Sequence, residues 1–129
     1  DRKHTIIIVG AGNIGHALTN FPGFAETGFE VKALFDVNED LIGTEIKGHP
    51  VLDVKDMDEY IRENQIDIGV IAARRSAAQE IADRMCAAGI RGIWNFVPLD
   101  ITTSVPIENV HLSESLSTLS YKIEHGLLD

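Results

Sequence analysis

The amino-acid sequence predicts an α/β domain built on a doubly wound, mostly parallel β-sheet, followed by a separate C-terminal helix. Short apolar runs rich in β-branched residues, such as Thr5–Val9, are typical of strands that are covered on both faces. Segments with helical spacing alternate with these runs, which is the order expected of a parallel sheet. The 129 residues, 44% hydrophobic and 24% charged, suffice for one core of an ordinary globular domain.

The first half of the chain contains three predicted strands, which are Thr5–Val9, Glu30–Asp36 and the minimal strand Val51–Leu52. Helices are predicted over Asn13–Asn20 and, opened by the capping-box spacing of Asp56 and Glu59, up to Asn64. We also expect a short helical turn over Asn38–Leu41 that ends at Gly43, and a turn at Gly48–Pro50.

The second half repeats the alternation with predicted strands at Asp67–Ala72, Gly92–Asn95 and Glu108–Leu112. A capping-box spacing at Ser76 and Gln79 opens the longest central helix, which ends at Ala88 with Gly89 as its C-cap. We expect an irregular segment over Asn95–Pro106 and a last helix from Ser113 to about His125.

The segment from Gly10 to Gly15 matches the pattern G-x-G-x-x-G and lies between a predicted strand and a predicted helix. Gly10 would allow the tight turn, Gly12 would let a pyrophosphate approach the backbone, and Gly15 would let the helix pack close to the sheet. The amides and dipole of the helix N-terminus would stabilise the anion. The loop therefore predicts a dinucleotide site.

Asp36 ends the second predicted strand and follows Gly15 by 21 residues. A carboxylate at this position can accept hydrogen bonds from a ribose diol and would repel a 2′-phosphate, which favours NAD over NADP. The alternative is a glycine turn beside an Asp that faces solvent.

Other candidates follow the later strands on the side of the sheet where ligands bind. Arg74 could reach the phosphates of a cofactor, or Arg74 and Arg75 could form a solvated basic pair. Asn95 could bind a ligand amide and Phe96 could wall a flat ring, unless they cap a turn and fill the core. The candidate cofactor-binding residues are Gly10, Ala11, Gly12, Asn13, Ile14, Gly15, Asp36, Ala72, Ala73, Arg74, Asn95, Phe96 and Pro98.

Several classes of function are disfavoured by composition and spacing. The net charge of −9 disfavours a DNA-contacting face in this chain. No pair of the five histidines has metal-ligand spacing, and we find no candidate catalytic group. The single Cys86 and the lack of a long apolar run predict a cytoplasmic protein without a membrane span. Because the chain begins at Asp1, without Met, we interpret it as one domain of a larger protein.

The last predicted helix carries one apolar stripe, formed by Leu112, Leu116, Leu119, Ile123 and Leu127. The stripe could pack on the chain's own sheet. The long segment before the helix also permits exchange with a second subunit, which would make the helix a domain-swapped dimerisation element.

A resemblance extends over nearly the whole chain. The segments that carry it are Val9–Leu18, Phe21–Phe24, Gly28–Phe29, Phe35–Val37, Gly48–Val51, Asn95–Pro98, Glu108–Leu112 and Leu119–Tyr121. The combination of glycine loop, Asn-Phe-x-Pro and a terminal Leu-Ser-Tyr is specific. With these residues the chain resembles the C-terminal, NADH-binding Rossmann domain of the Rex family of redox-sensing transcriptional repressors.

The resemblance implies a homodimer that responds to NADH and NAD⁺. An N-terminal winged-helix domain, outside this chain, would bind operator DNA and release it when NADH binds. Residues 1–112 would form the Rossmann domain and residues 113–129 the dimerisation helix. The implied dimer and switch residues are His111, Leu112, Leu116, Leu119 and Tyr121.

Two departures from the family pattern limit what the resemblance implies. Ala73-Arg74-Arg75 stands where Rex proteins commonly carry a small residue, an apolar residue and Pro. His111-Leu112 stands where an acidic residue and an apolar one are common, so a switch that needs that carboxylate does not carry over.

Two other functions remain open from the sequence. The chain could be the nucleotide-binding half of an NAD-dependent dehydrogenase, whose catalytic residues would lie beyond residue 129. It could also be a CoA-binding domain, although Asp36 would then be hard to explain.

Overall fold

The structure is a computed structural model that describes residues 4–21 and 23–128, without the side chains of residues 25 and 112–114. The strands are β1 (His4–Val9), β2 (Phe29–Asp36), β3 (Glu45–Ile46), β4 (His49–Asp53), β5 (Ile68–Ile71), β6 (Gly92–Asn95) and β7 (Ile107–Asn109). The helices are α1 (Asn13–Thr19), α2 (Gly23–Glu26), α3 (Met57–Asn64), α4 (Arg75–Ala88) and α5 (Leu112–Glu124), with a 3₁₀ turn at Val54–Asp56.

All seven strands form one sheet in the order β3-β4-β2-β1-β5-β6-β7. Every neighbouring pair is parallel except the β3–β4 hairpin. The chain runs outward from β1 in one direction through β2 and β4, and in the other through β5, β6 and β7. This confirms the predicted doubly wound fold and places the switch point between β1 and β5, where such folds bind ligands.

Each face of the sheet carries its own hydrophobic cluster. Ile7 and Val9 point to the face that α3 and α4 cover, where they pack with Phe35 and Met85. Ile6 and Ile8 belong to the cluster on the opposite face, together with Phe24 of α2. The apolar run of β1 is therefore buried on both sides, as its continuous sequence predicts.

One of the two predicted turns is wrong. Gly48–Pro50 is not a turn, because His49 and Pro50 open β4 and the hairpin turns at Lys47–Gly48 instead. Both turn residues have positive φ, 53° and 83°, as two-residue hairpins require. The helical turn predicted at Asn38–Leu41 is confirmed, because the Leu41 and Ile42 amides both donate to the Asn38 carbonyl, at 2.9 Å and 3.1 Å.

Neither predicted capping box forms. Asp56 precedes α3 without a side-chain cap, and Asp53 instead accepts a hydrogen bond from the Lys55 amide at 3.0 Å. Helix α4 begins at Arg75, so Ser76 lies inside it. The C-cap of α4 is confirmed, because Gly89 has φ 100°.

The last strand also differs from its predicted bounds. It is Ile107–Asn109 and does not extend to Leu112, because α5 begins at that residue. None of the helices in the described residues is long and apolar enough to cross a lipid bilayer.

Candidate functional site

A cleft of about 890 Å³ opens at the carboxyl ends of β1, β2 and β5. Six of the predicted cofactor-binding residues line it, namely Gly10, Gly12, Asp36, Ala72, Ala73 and Arg74. Its wall beyond Asp36 is formed by Val37, Asn38, Val54, Ser76, Ala77, Glu80, Ile81 and Arg84. Loops from three neighbouring strands thus meet at the switch point of the sheet, where the sequence predicts a ligand.

The glycine loop is shaped by close backbone contacts. Gly10 has φ 113°, and a Cβ there would collide with the carbonyl oxygen of Ala72. A Cβ at Gly15 would collide with the carbonyl oxygen of Gly10. Gly12 differs, because no atom lies within 4 Å of the position its Cβ would take. The first and third glycines are therefore needed for packing, whereas the second leaves an open surface for a ligand.

Both carboxylate oxygens of Asp36 accept hydrogen bonds from backbone amides. Its Oδ2 accepts from the Ala11 amide at 2.7 Å, and its Oδ1 accepts from the Asn38 amide at 2.8 Å. The sequence predicts a carboxylate at this edge of the cleft but not its contact with the glycine loop. The spacing from Gly15 gives no signal for that contact, since it depends on the relative position of β1 and β2.

Two arginines at the cleft have different surroundings. Arg74 precedes α4 and is exposed, and no ion pair to it is found among the described residues. Arg84 is bound on both sides, since it contacts an Asp58 carboxylate oxygen at 2.8 Å and donates to the Val54 carbonyl at 2.8 Å. The sequence analysis missed Arg84, which fixes α4 to the 3₁₀ turn, whereas Arg74 is the cation available to an anionic ligand.

The remaining predicted contacts lie outside the cleft as the structure defines it. Asn95 is 0% exposed, and its side-chain amide donates to the Val97 and Leu99 carbonyls and to Asn109. It stabilises the turn after β6 and presents no group to a ligand here. The other predicted cofactor-binding residues that do not line the cleft are Ala11, Asn13, Ile14, Gly15, Phe96 and Pro98.

Phe96 lies on the sheet face that carries α1 and α2. It is half-buried and packs edge-on against Trp94, with 4.6 Å between the ring centroids. On this face, near the amino ends of the strands, an apolar groove of about 460 Å³ is lined mainly by aromatic and aliphatic residues, among them Phe21, Phe24, Phe29, Trp94, Pro106 and Ile107. The sequence does not predict this groove, because its residues are scattered along the chain.

The terminal helix is exposed along its apolar stripe. Leu116 is 69% exposed, Leu119 53% and Ile123 71%. Tyr121 stacks on His125, and His111 lies 3.7 Å from an Asp100 carboxylate oxygen. The side chain of Leu112 lies outside the described residues. In this single chain, the stripe from Leu116 onward does not pack on the chain's own sheet.

Among the described residues, no group of three or more His, Cys, Asp or Glu side chains could hold a metal ion. The cleft combines backbone amides, the carboxylates of Asp36 and Glu80, and the available cation of Arg74. Such a set recognises a diol and phosphate groups by hydrogen bonding and charge.

Comparison with known proteins gives a consistent result. The profile of a family described as CoA binding domain matches residues 1–99. A redox-sensing transcriptional repressor Rex from Clostridioides difficile (strain 630) is 47% identical over 128 residues, which are 98% of this chain and 61% of that protein. A Rex repressor from Thermoanaerobacter sp. (strain X514) is 43% identical over 95% of this chain and 56% of that protein.

Solved structures show the same relationship. The Rex-family repressor RSP superposes with a TM-score of 0.92 at 43% identity, over 98% of this chain and 61% of that one. RSP has also been solved in complex with β-NAD⁺ and operator DNA, and in complex with β-NADH. A UDP-D-quinovosamine 4-dehydrogenase from Vibrio fischeri has a TM-score of 0.65 at 16% identity, covering 91% of this chain and 86% of that one, which shows a shared fold only. The chain spans about 60% of the length of its Rex relatives.

Proposed function

This chain belongs to the CoA-binding domain family, with the Rex redox-sensing repressors among its relatives, and we propose that it is the NAD(H)-sensing domain of such a repressor. The observation that carries the proposal is the cleft in which the glycine loop, Asp36 and Arg74 meet. The solved complexes of RSP with β-NADH and with β-NAD⁺ support it, because RSP is 43% identical to this chain over 98% of its length.

Each part of the cleft has a role in this proposal. The pyrophosphate lies over Gly12, where the backbone is open. Asp36 accepts hydrogen bonds from the adenosine ribose, since each carboxylate oxygen has a second lone pair besides the one used by the backbone. Arg74 neutralises phosphate charge, which offsets the formal charge of −9 on the chain. The nicotinamide half extends toward Phe96.

CoA is the competing ligand, because the matching family is described by CoA binding. CoA carries a phosphate on its ribose, whereas the ribose edge of this cleft carries the Asp36 carboxylate. A phosphate on the ribose would repel the Asp36 carboxylate, so the cleft favours an unphosphorylated ribose.

A titration of this chain with NADH, NAD⁺, NADPH and CoA, followed by calorimetry at one salt concentration, tests the proposal. We expect NADH to bind more tightly than NADPH or CoA. Tighter binding of CoA would reassign the domain to CoA. Binding of none of the four ligands would refute a dinucleotide function.

The regulatory role concerns the larger protein. We propose that NADH binding releases operator DNA and that a separate N-terminal winged-helix domain makes the DNA contacts, since this acidic chain is a poor DNA ligand. RSP has been solved with operator DNA, and this chain covers 59% of the RSP chain, which leaves other residues of RSP for DNA contacts. We expect operator binding from the full-length repressor and none from this chain, and NADH and operator should weaken each other's binding by the same factor. An operator complex of this chain alone would contradict the division.

We further propose that two chains form a homodimer through α5. Two apolar surfaces support this, namely the exposed stripe of α5 and the aromatic groove beside β6. Soluble monomers rarely expose such patches, and a second copy would cover both. In this dimer α5 is exchanged between subunits, and His111 at its start lies near the partner's cofactor site.

We propose a regulatory role rather than an enzymatic one, and a cytoplasmic location. The Rex relatives are named repressors, and dehydrogenases such as the one from Vibrio fischeri share only the fold. Hydride transfer by the full-length protein with any added carbonyl substrate would favour the dehydrogenase alternative instead.

A further inference from the structure

The carboxylate of Asp36 joins two loops that come from different strands. Ala11 lies in the glycine loop after β1, and Asn38 lies in the turn after β2. Asp36 accepts a hydrogen bond from the amide of each, at 2.7 Å and 2.8 Å. One side chain therefore connects the glycine loop to the turn after the neighbouring strand.

The Ala11 amide depends on this contact. Ala11 is 5% exposed, and no other acceptor for its amide is found among the described residues. A buried N–H that loses its only acceptor is costly, so the peptide before Ala11 would turn toward solvent if the carboxylate were removed.

The other contacts that hold the loop are made by backbone atoms. The Gly10 amide donates to the Phe35 carbonyl at 2.7 Å, and the His16 amide donates to the Gly12 carbonyl at 2.8 Å. Among the described residues, Asp36 is the one side chain that forms a hydrogen bond with the backbone of residues 10–12. The peptide that it holds lies between Gly10, which packs on Ala72, and Gly12, which is open to the cleft.

We propose that Asp36 is a positioning residue for the glycine loop, in addition to any contact with a ribose. The expected effect on ligand binding rests on the proposed dinucleotide function. The expected effect on the conformation of the glycine loop does not. It follows that removing the carboxylate weakens the binding of a nucleoside diphosphate even when its ribose has no 2′- or 3′-hydroxyl.

Amide hydrogen exchange of the ligand-free chain tests the structural part. In Asp36→Ala, we expect the Ala11 amide to exchange at least about tenfold faster, as loss of one hydrogen bond predicts. The Ala72 amide donates to the Val9 carbonyl at 2.8 Å, next to the loop, and should keep its rate, which verifies that the sheet is folded. An unchanged Ala11 rate would overturn the inference.

Asp53→Ala is the matched control. Asp53 is the register neighbour of Asp36, ends β4, and accepts from the amide two residues ahead of it, as Asp36 does. Among the described residues, no hydrogen bond joins the Asp53 side chain to the glycine loop. Asp53→Ala removes the same charge and the same kind of turn hydrogen bond as Asp36→Ala. Because Asp53 does not hold the glycine loop, the exchange rate of the Ala11 amide should not change. If Asp36→Ala does not fold, Asp36→Leu replaces it, since leucine keeps a branched side chain of similar shape and accepts no hydrogen bond.

A ligand cycle tests the binding part. Adenosine diphosphate and its 2′,3′-dideoxy analogue are titrated into the unmodified chain, Asp36→Ala and Asp53→Ala. We expect Asp36→Ala to weaken the dideoxy analogue about fivefold or more. If the substitution weakens only adenosine diphosphate, Asp36 acts through the ribose alone and the inference is wrong. If neither nucleotide binds the unmodified chain, the proposed function fails, and the exchange rates alone decide whether Asp36 positions the loop.

Discussion

The side-chain amide of Asn95 donates a hydrogen bond to the side-chain oxygen of Asn109, with 2.8 Å between the two atoms. The two residues end β6 and β7 and face each other in the register of these strands. The same Asn95 side chain accepts from the Val97 amide at 2.9 Å. One buried side chain thus connects the turn after β6 to the segment that leads into α5.

We expect Asn95→Ala to lower the free energy of unfolding by about 2–4 kcal/mol, because it removes several hydrogen bonds and leaves a buried amide without an acceptor. Asn64→Ala is the control, since the exposed Asn64 side chain makes a single hydrogen bond to its own helix, at 3.0 Å from the Tyr60 carbonyl. Urea unfolding of both variants measures the difference. Equal, small losses would show that Asn95 is not a structural residue.

Gly12→Val should abolish NADH binding and leave the fold unchanged. Its side chain would enter open space, where the pyrophosphate is proposed to lie. Gly15→Ala is the opposite case, because its Cβ would meet the Gly10 carbonyl and should lower stability. Calorimetric titration and thermal unfolding of the two variants separate binding from folding. A Gly12→Val chain that keeps full NADH affinity would place the ligand elsewhere.

Asp36 should determine the preference for NADH over NADPH. Asp36→Ala should reduce NADH affinity by about 1–3 kcal/mol, the range for loss of charge-assisted hydrogen bonds. NADPH should lose less, because its phosphate no longer meets a carboxylate. Parallel titrations of the two cofactors give the ratio. Equal affinities of the unmodified chain for both cofactors would disprove this role.

The stability of the domain should fall in acid because of Asp67. Burial raises the pKa of Asp67, but hydrogen bonds from the Thr5 amide, Arg91 and His4 outweigh it, and the pKa lies below its ordinary value of 3.8. The stabilisation is therefore complete above that value and is lost as the pH falls through the lower, folded-state pKa.

Urea unfolding at about pH 6, 4 and 3 measures this dependence. Asp67→Asn should unfold more easily at about pH 6 and lose less stability on acidification than the unmodified chain. Asp40→Asn, which changes an exposed carboxylate, should follow the unmodified chain. Parallel curves for all three proteins would mean that Asp67 does not contribute to acid sensitivity.

The dimer should depend on the apolar stripe of α5. Deleting residues 113–129 should give a monomer or an aggregate and weaken NADH binding. Leu119→Asp with Ile123→Asp tests the same surface, because each leucine-sized side chain contributes about 1.5–3 kcal/mol when it is buried. Thr118→Asp, on the opposite side of the helix, should have no effect.

Sedimentation equilibrium compares these three variants with the unmodified chain. A well-behaved dimer of the truncated chain with unchanged NADH affinity would show that α5 is not the dimerisation element.

Much of the architecture could be predicted from the sequence because buried parallel strands have a strong apolar signal. The predicted bounds of β1, β2, β5 and β6 agree with the structure to within one residue at every end. The β3–β4 hairpin was missed, since β3 has two residues, Glu45 and Ile46, and its turn depends on a positive φ at Lys47. Local sequence does not encode that conformation at a lysine.

The parts of the candidate site that are formed by the glycine motif could be predicted from the sequence. The contacts between side chains and backbone groups that are far apart in the sequence could not. Gly10 and Gly12 follow from a local motif. The buried network of Asn95 does not, because its acceptor Asn109 belongs to another strand. The contact of Asp36 with Ala11 was missed for the same reason, since it exists only after β1 and β2 pair.

Trp94 is the single tryptophan of the chain, and its ring packs edge-on against Phe96 and lines the apolar groove. Its fluorescence therefore originates from one known position on the sheet, without any label. A reduced nicotinamide ring absorbs light in the range where indole emits, and an oxidised ring does not. Resonance energy transfer from Trp94 would therefore distinguish the two redox states of a cofactor bound in the cleft at the switch point, so the domain would report its own cofactor's redox state optically.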